Sequence, residues 1–363
     1  MPQITEQMIT AAINSYFDPI LDRELGHINA LQSIDLKSNG TYALNLQFGF
    51  PIGDHDHQLR LNIEQHMLKS IGRPPETISL TIRIKSHRVQ AGTQTLSSVK
   101  NIIAIASGKG GVGKSTTAVN LACALAALGA KTGLLDADIY GPSQPQMLGH
   151  YERPSANQQR MQPVLRHGVQ TMSMGYLVDK NAAMVWRGPM VSRALQQLLR
   201  DTDWQDLDYL IIDLPPGTGD VQLTLAQHVP LTAAVVVTTP QDLALLDVRR
   251  AVNMFNKVNI PTLGIIENMS YHVCEKCGHE VAMFGTGGGE AIAEEFGIRL
   301  LGQIPLAPQI RELTDHGQPI VVAEPESSYG MQYLDLARHI GLQLSLRGQD
   351  FSSKFPNIVI EEG

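Results

Sequence analysis

A chain of 363 residues with 43% hydrophobic content is long enough to bury more than one core, and no apolar run in it is long enough to cross a bilayer. With 35 acidic against 28 basic residues and a formal net charge of −7, it is a poor match for a large sequence-independent nucleic-acid surface, which needs clustered lysine and arginine. Three cysteines cannot build a disulfide framework, and Met1–Asn14 lacks a basic start followed by an apolar stretch, so a cytoplasmic, reducing compartment is expected.

In chain order, residues 1–85 predict a small α+β unit that runs helix, strand, turn, strand, helix, strand. Ser38-Asn39-Gly40 marks the turn, and Ile78 to Ile84 alternates at period two. Residues 86–100 are polar and aperiodic and read as a linker. Residues 101–347 form the second domain, in which apolar strands recur at Ile102–Ala106, Thr132–Asp136, Tyr209–Asp213, Ala233–Thr239, Thr262–Glu267 and Leu300–Ile304. Helical patterns separate most of them, which predicts α/β architecture: a doubly wound, mostly parallel sheet with its ligand at the carboxyl ends of the strands. The tail, 348–363, holds Pro356 and ends in Glu361-Glu362-Gly363, and is expected to be frayed or loosely docked.

The most specific string is Gly108-Lys109-Gly110-Gly111-Val112-Gly113-Lys114-Ser115, a phosphate loop with an additional lysine after its first glycine. Such glycines let backbone N–H groups turn inward around a triphosphate. Lys114 reaches the outer phosphates, and the Ser115 hydroxyl is placed to hold Mg²⁺. The strand before it and the helix opening at Thr116 supply the context of a P-loop NTPase. Three aspartates fall at or just past strand ends: Asp136, suited to hold Mg²⁺ through water; Asp138, suited to orient the attacking water; and Asp213, near the metal. Asp213 opens Asp213-Leu214-Pro215-Pro216-Gly217, whose composition suits a switch loop, with a Gly217 N–H directed to the γ-phosphate.

The loop with Lys109, the Asp136-x-Asp138 segment and the Asp213-x-Pro215-Pro216 switch together resemble the deviant-Walker ATPases. These are related to the cell-division and partition ATPases and to the nitrogenase iron protein. The resemblance implies a homodimer in which Lys109 reaches the phosphates of the opposite subunit. Asp138-Ile139-Tyr140-Gly141-Pro142-Ser143 and Glu267-Asn268-Met269-Ser270 resemble one branch, the Mrp or ApbC-like iron-sulfur cluster carrier ATPases. In that branch the match of Asn268 implies a hydrogen bond to adenine, to which a carboxamide offers donor and acceptor. Pro305, ending the last strand, is placed to pack on the same base.

Cys274-Glu275-Lys276-Cys277, with His272 before it and Gly278-His279 after it, is a metal knuckle candidate. From the residues alone a self-contained zinc site and a redox dithiol are both open. The resemblance instead implies a labile cluster, [4Fe-4S] as the expected type, bridged by Cys274 and Cys277 of two subunits. Cys123, on the helix after the phosphate loop among Leu121, Ala122, Ala124 and Leu125, reads as a buried structural thiol. Phe284-Gly285-Thr286-Gly287-Gly288-Gly289 reads as a flexible hinge.

The first domain, including Asp18-Pro19, resembles the small iron-sulfur assembly domain fused ahead of this branch, but it has no cysteine before Cys123. His55 and His57 with Asp54 and Asp56 offer a metal set; a helix start capped by Asp54 or Asp56 is the preferred reading. The resemblance thus implies an ATP-hydrolysing carrier that delivers clusters from assembly scaffold proteins to apo iron-sulfur proteins. Two other readings stand beside it: a positioning ATPase on membrane or DNA, and a zinc-stabilised regulatory ATPase. A membrane form would want a basic amphipathic terminal helix, whereas the tail is acidic.

Overall fold

The computed structural model describes residues 4–90, 92–157, 160–177 and 188–349, so most of the tail, 350–363, lies outside the described residues. The amino-terminal elements are α1 (Glu6–Asn14), β1 (Leu31–Leu36), β2 (Tyr42–Phe48), α2 (His55–Ile71) and β3 (Thr77–Ile82). Strands β1 and β2 pair antiparallel across the Ser38–Gly40 turn, and β3 joins β2 in parallel after the α2 crossover. Alternate residues Tyr42, Leu44, Leu46 and Phe48 of β2 point inward, and α2 meets them with Leu59, Ile63 and Met67, which recur one turn apart. Asp54 stands at the expected capping position but makes no cap bond, because its carboxylate is drawn to Arg338. Asp56 pairs with Arg60 along the helix instead. His55 turns inward to Asp18 at 2.9 Å, away from His57, and no metal-ligating group of three forms among the described residues.

The larger body contains β4 (Val99–Ala106), α3 (Lys114–Ala127), β5 (Thr132–Asp136), β6 (Val164–Arg166), β7 (Val169–Ser173), α4 (Gly188–Asp201), β8 (Leu207–Asp213) and α5 (Asp220–His228). It continues through β9 (Ala233–Thr238), α6 (Asp242–Lys257), β10 (Thr262–Asn268), α7 (Gly288–Phe296), β11 (Arg299–Ile304), α8 (Pro308–Asp315) and α9 (Ser328–Ser345). The eight strands lie in the order β6-β7-β5-β8-β4-β9-β10-β11, and every neighbouring pair is parallel except β6–β7. Helices cover both faces. Ile103 and Ile105 of β4 pack with α3 and α9, while Ile102 and Ala104 pack with the side carrying α4 to α7. Double coverage is why β4, β8, β9 and β10 read as near-continuous apolar runs.

The β6–β7 hairpin went unpredicted. Its strands are short and mixed in polarity, although His167-Gly168, both at positive φ (49° and 76°), is a two-residue turn signal. The linker is tethered: Gln90 Nε2 donates to Val229 O at 3.0 Å, and Arg200 donates to Gln94 Oε1 at 2.6 Å. The amino-terminal unit seats on α9 and the far end of α3. Leu342 of α9 belongs to its core, and a Cβ on Gly53 (φ +58°) would come within 2.4 Å of Leu128, which ends α3.

Candidate functional site: a phosphate loop and a cysteine hairpin

Register brings the site together. Asp136 of β5 lies opposite Asp213 of β8 and Ser173 of β7, all at the carboxyl edge of the sheet where β4 runs into the phosphate loop. Gly113 closes that loop at φ +80°, and a Cβ there would come within 2.1 Å of Asn268 Nδ2, so both the turn and the close approach require glycine. Asn268 Nδ2 donates to Val112 O at 2.9 Å. One of its amide N–H groups therefore fastens the loop, and the second N–H and the oxygen are left for another partner. Pro305 is buried directly after Ile304, the register partner of Asn268, so the two expected base contacts are neighbours.

Lys114 is buried and forms an ion pair with Asp213, and its ammonium also donates to Ser115 Oγ at 3.2 Å. Gln144, which the sequence reading missed, ties this cluster together. Its Nε2 donates to Asp213 Oδ2 at 2.8 Å and to Ser115 O at 3.1 Å, and its backbone N–H donates to Asp136 Oδ2 at 3.2 Å. Ser173 Oγ donates to the same Asp136 oxygen at 3.0 Å, and the Asp138 N–H to Asp136 Oδ1 at 3.1 Å. Burial, reinforced by the charge of Asp213, pushes the Asp136 carboxyl up to about 7. Burial also raises Asp138, against the pull of Lys114. Three carboxylates thus surround one buried lysine.

The fit to a divalent cation rests on two observations: this excess of carboxylate, and Gln144 Oε1, a buried acceptor with no hydrogen-bond partner. Hard oxygen donors of this kind suit Mg²⁺. Lys109 is half-buried, and its ammonium makes no ion pair with any described residue. Gly110 and Gly111 are exposed beside it, and Thr116 is half-buried in the first turn of α3. The Gly217 N–H donates to Ser107 O at 2.9 Å, so a phosphate contact there requires exchange of that bond.

Cys274 and Cys277 sit in a hairpin closed by the two-residue strands His272–Val273 and Glu280–Val281. The Gly278 N–H donates to Cys274 O at 2.8 Å and the Cys274 N–H to His279 O at 2.9 Å. Cys274 is partly exposed and Cys277 exposed. The backbone N–H groups of Lys276 and Cys277, followed by the Cys277 thiol, hold the Cys274 thiol below the usual range. His272 Nδ1 is engaged with Leu306 O at 2.9 Å, and no group of three or more His, Cys, Asp or Glu forms a metal set among the described residues. One chain therefore brings two sulfur ligands and no third. Cys123 is buried, and desolvation pushes its thiol up to about 12.

Glu267, also missed as a functional position, links the two regions. Fully buried beside Asn268, it accepts from Ser270 Oγ at 2.5 Å, Gln303 Nε2 at 2.8 Å and the Gly289 N–H at 2.6 Å. The last bond pins the start of α7. Gly288 and Gly289 are accordingly buried helical residues, and the expected hinge is confined to the exposed stretch before them.

Residues 98–341 match the family model described as ParA, NUBPL iron-transfer P-loop NTPase. The chain is 46% identical over 352 residues to the iron-sulfur cluster carrier protein of Escherichia coli (strain K12), covering 96% of this chain and 95% of that protein. It is 50% identical over 267 residues to the iron-sulfur cluster transfer protein NUBPL of Dictyostelium discoideum, covering 72% and 83% respectively. The nucleotide-binding protein of Archaeoglobus fulgidus, solved in complex with ADP, superposes with a TM-score of 0.56 at 36% identity, over 64% of this chain and 92% of that one. With a phosphate loop on the central strand of a parallel sheet and a family match over most of its length, the chain belongs to the NUBPL iron-transfer P-loop NTPases of the ParA type.

Proposed function

We propose that the protein is a cytoplasmic homodimeric ATPase that carries an iron-sulfur cluster, [4Fe-4S], between its subunits and passes it from assembly scaffold proteins to apo iron-sulfur proteins. The observation that carries this reading is the Cys274–Cys277 hairpin, exposed and two ligands short of a cluster within one chain. A second copy supplies the missing pair by symmetry. Near-full-length similarity to a carrier protein supports the cargo assignment, and the likeness to an ADP-bound protein supports the nucleotide. No helix among the described residues is long and apolar enough to cross a membrane.

In this reading the inward-facing N–H groups of residues 108–116 hold the phosphates of ATP, Asn268 and Pro305 receive the base, and Lys114 leaves Asp213 to neutralise the outer phosphates. Ser115 and Asp213 would hold Mg²⁺, with Asp136 and Gln144 behind them; the ion supplies charge neutralisation on the phosphate oxygens. Asp138 orients water toward the γ-phosphorus and takes its proton as the bond to ADP breaks. Lys109, without an ion-pair partner among the described residues of its own chain, reaches the opposite subunit's nucleotide. Leu243 and Leu246, 72% and 50% exposed in the early turns of α6 and close to Asp247, whose backbone abuts Gly108, offer the apolar surface for that approach. Gly217 would trade Ser107 O for the γ-phosphate, so switch position reports nucleotide state.

The test is anaerobic reconstitution with iron and sulfide, read by visible absorption, metal content and native mass, on wild type and Cys274→Ser/Cys277→Ser. About one four-iron cluster per dimer, lost in the variant, is expected. Stoichiometric zinc per monomer without sulfide would overturn the carrier reading in favour of a structural knuckle.

A further inference from the structure

The amino-terminal unit and the NTPase body enclose a cleft of about 370 Å³, well away from the phosphate loop. Its cationic lining is Arg83 and Lys85, leaving β3, and Arg347, just past α9. No aspartate or glutamate lines it among the described residues. None of these three side chains forms an ion pair or hydrogen bond with any described residue, in a chain whose net charge is −7. Three cations without an ion-pair partner among the described residues face one cleft and repel each other, and a fold that keeps them there holds electrostatic energy that an anion would release. Partial burial already pulls the Arg347 guanidinium below its usual range, with no carboxylate to offset it.

The rest of the lining is neutral and mostly polar, with Ile28 and Leu346 as its apolar part. Gln32, Gln47 and Gln349 bring carboxamides, and His87 forms part of the floor. His87 is buried; desolvation holds its imidazole below the usual range, and Nδ1 lies 2.9 Å from Asn101 Oδ1. It is therefore a neutral wall that is already partnered. Asn101 belongs to β4, whose other end becomes the phosphate loop. Six residue steps along the extended strand lead from Asn101 to Ser107, about 20 Å, so this cleft and the nucleotide site stand at opposite ends of one strand.

We propose that this cleft is a binding site for a small organic polyanion, carrying two or three carboxylate or phosphate groups, that bridges Arg83 and Lys85 of the amino-terminal unit to Arg347 of the NTPase body. Its size lies in the range of small-molecule sites. Guanidinium groups suit the bidentate geometry of carboxylate and phosphate alike. The carboxamides would read the neutral body of the ligand. Bound there, the ligand ties the two units together at the root of the strand that carries the phosphate loop.

The experiment is calorimetric titration of the full chain, its phosphate loop filled with saturating MgADP, with tricarballylate in one arm and inorganic phosphate in the other at constant ionic strength. Saturable one-to-one binding of at least one probe is expected, weakened about tenfold or more in Arg83→Gln/Arg347→Gln. The variant's ADP affinity and circular dichroism should match wild type, since neither side chain has a partner among the described residues to lose. The arm that binds separates a carboxylate ligand from a phosphate one. A control pair, Arg249→Gln/Arg311→Gln, removes equal charge elsewhere and should leave binding unchanged. Absence of saturable binding in both arms, or equal loss in the two double variants, would overturn the proposal.

Discussion

The phosphate loop and the cysteine hairpin are built on opposite principles. Around Lys114 the polar groups are tied to one another inside the chain, Gln144 Oε1 excepted: Asp213, Gln144, Asp136 and Ser173 form one buried network, and Asn268 fastens the loop from the side. The hairpin has a two-rung ladder, two backbone bonds across its turn, one partly exposed cysteine, Cys274, and one exposed, Cys277. Catalysis needs charges held in place before the substrate arrives, whereas cargo has to enter and leave. On the proposed reading, rigidity is placed where bonds in ATP would be broken and withheld where the cluster would be exchanged.

Substitutions test how deep this contrast runs. Lys114→Ala should have the largest effect, because it leaves Asp213 and Asp136 buried without their cation; a stability loss of about 3–5 kcal/mol is expected by urea denaturation, together with loss of ATP binding by calorimetry. Cluster reconstitution should survive at temperatures where the variant is folded. Loss of the cluster in that folded variant would erase the division between the regions. Glu267→Gln comes next. It replaces an acceptor of three hydrogen bonds with a group that also donates, at about 1–3 kcal/mol, and should loosen α7, read as faster hydrogen exchange at its first turn.

Cys274→Ser/Cys277→Ser should leave stability within about 0.5 kcal/mol of wild type, since both positions are at the surface. A melting point well below wild type would mean that the hairpin is structural after all. The smallest effect is one of pH. With the Cys274 thiol held below the usual range, its thiolate persists to lower pH than an ordinary thiol near 8.5. Iodoacetamide should therefore label Cys274 at a pH where ordinary thiols are still protonated, while buried Cys123 stays unlabelled; peptide mapping across pH 6 to 9 reads this directly.

What could be read from the chain follows the locality of its causes. The phosphate loop, the aspartates at strand ends and the five later parallel strands were legible because each is a short string with its own physical signature. Gln144 and Ser173 were not, because their importance arises from sheet register: Ser173 meets Asp136 only once β7 is laid beside β5. Glu267 was read as part of a family string and not as a hub, since its three donors come from positions 270, 289 and 303. The Asp54 cap failed for a related reason. A competing cation 284 positions away, Arg338, outbids four local N–H groups.

That arginine also fixes how the molecule can be divided. It is 5% exposed, and besides Asp54 it donates to Ile52 O at 3.2 Å and to Asp335 at 2.6 Å, while the neighbouring His339 meets Ile20 O at 2.9 Å. Leu342, one turn further, is wholly buried in the other unit's core. Around α9 the boundary between the halves is thus partly an interior, with Arg338 and Leu342 both buried in it. A fragment begun at the first strand of the NTPase body would carry that interior into water, and self-association of the fragment is the price of the cut.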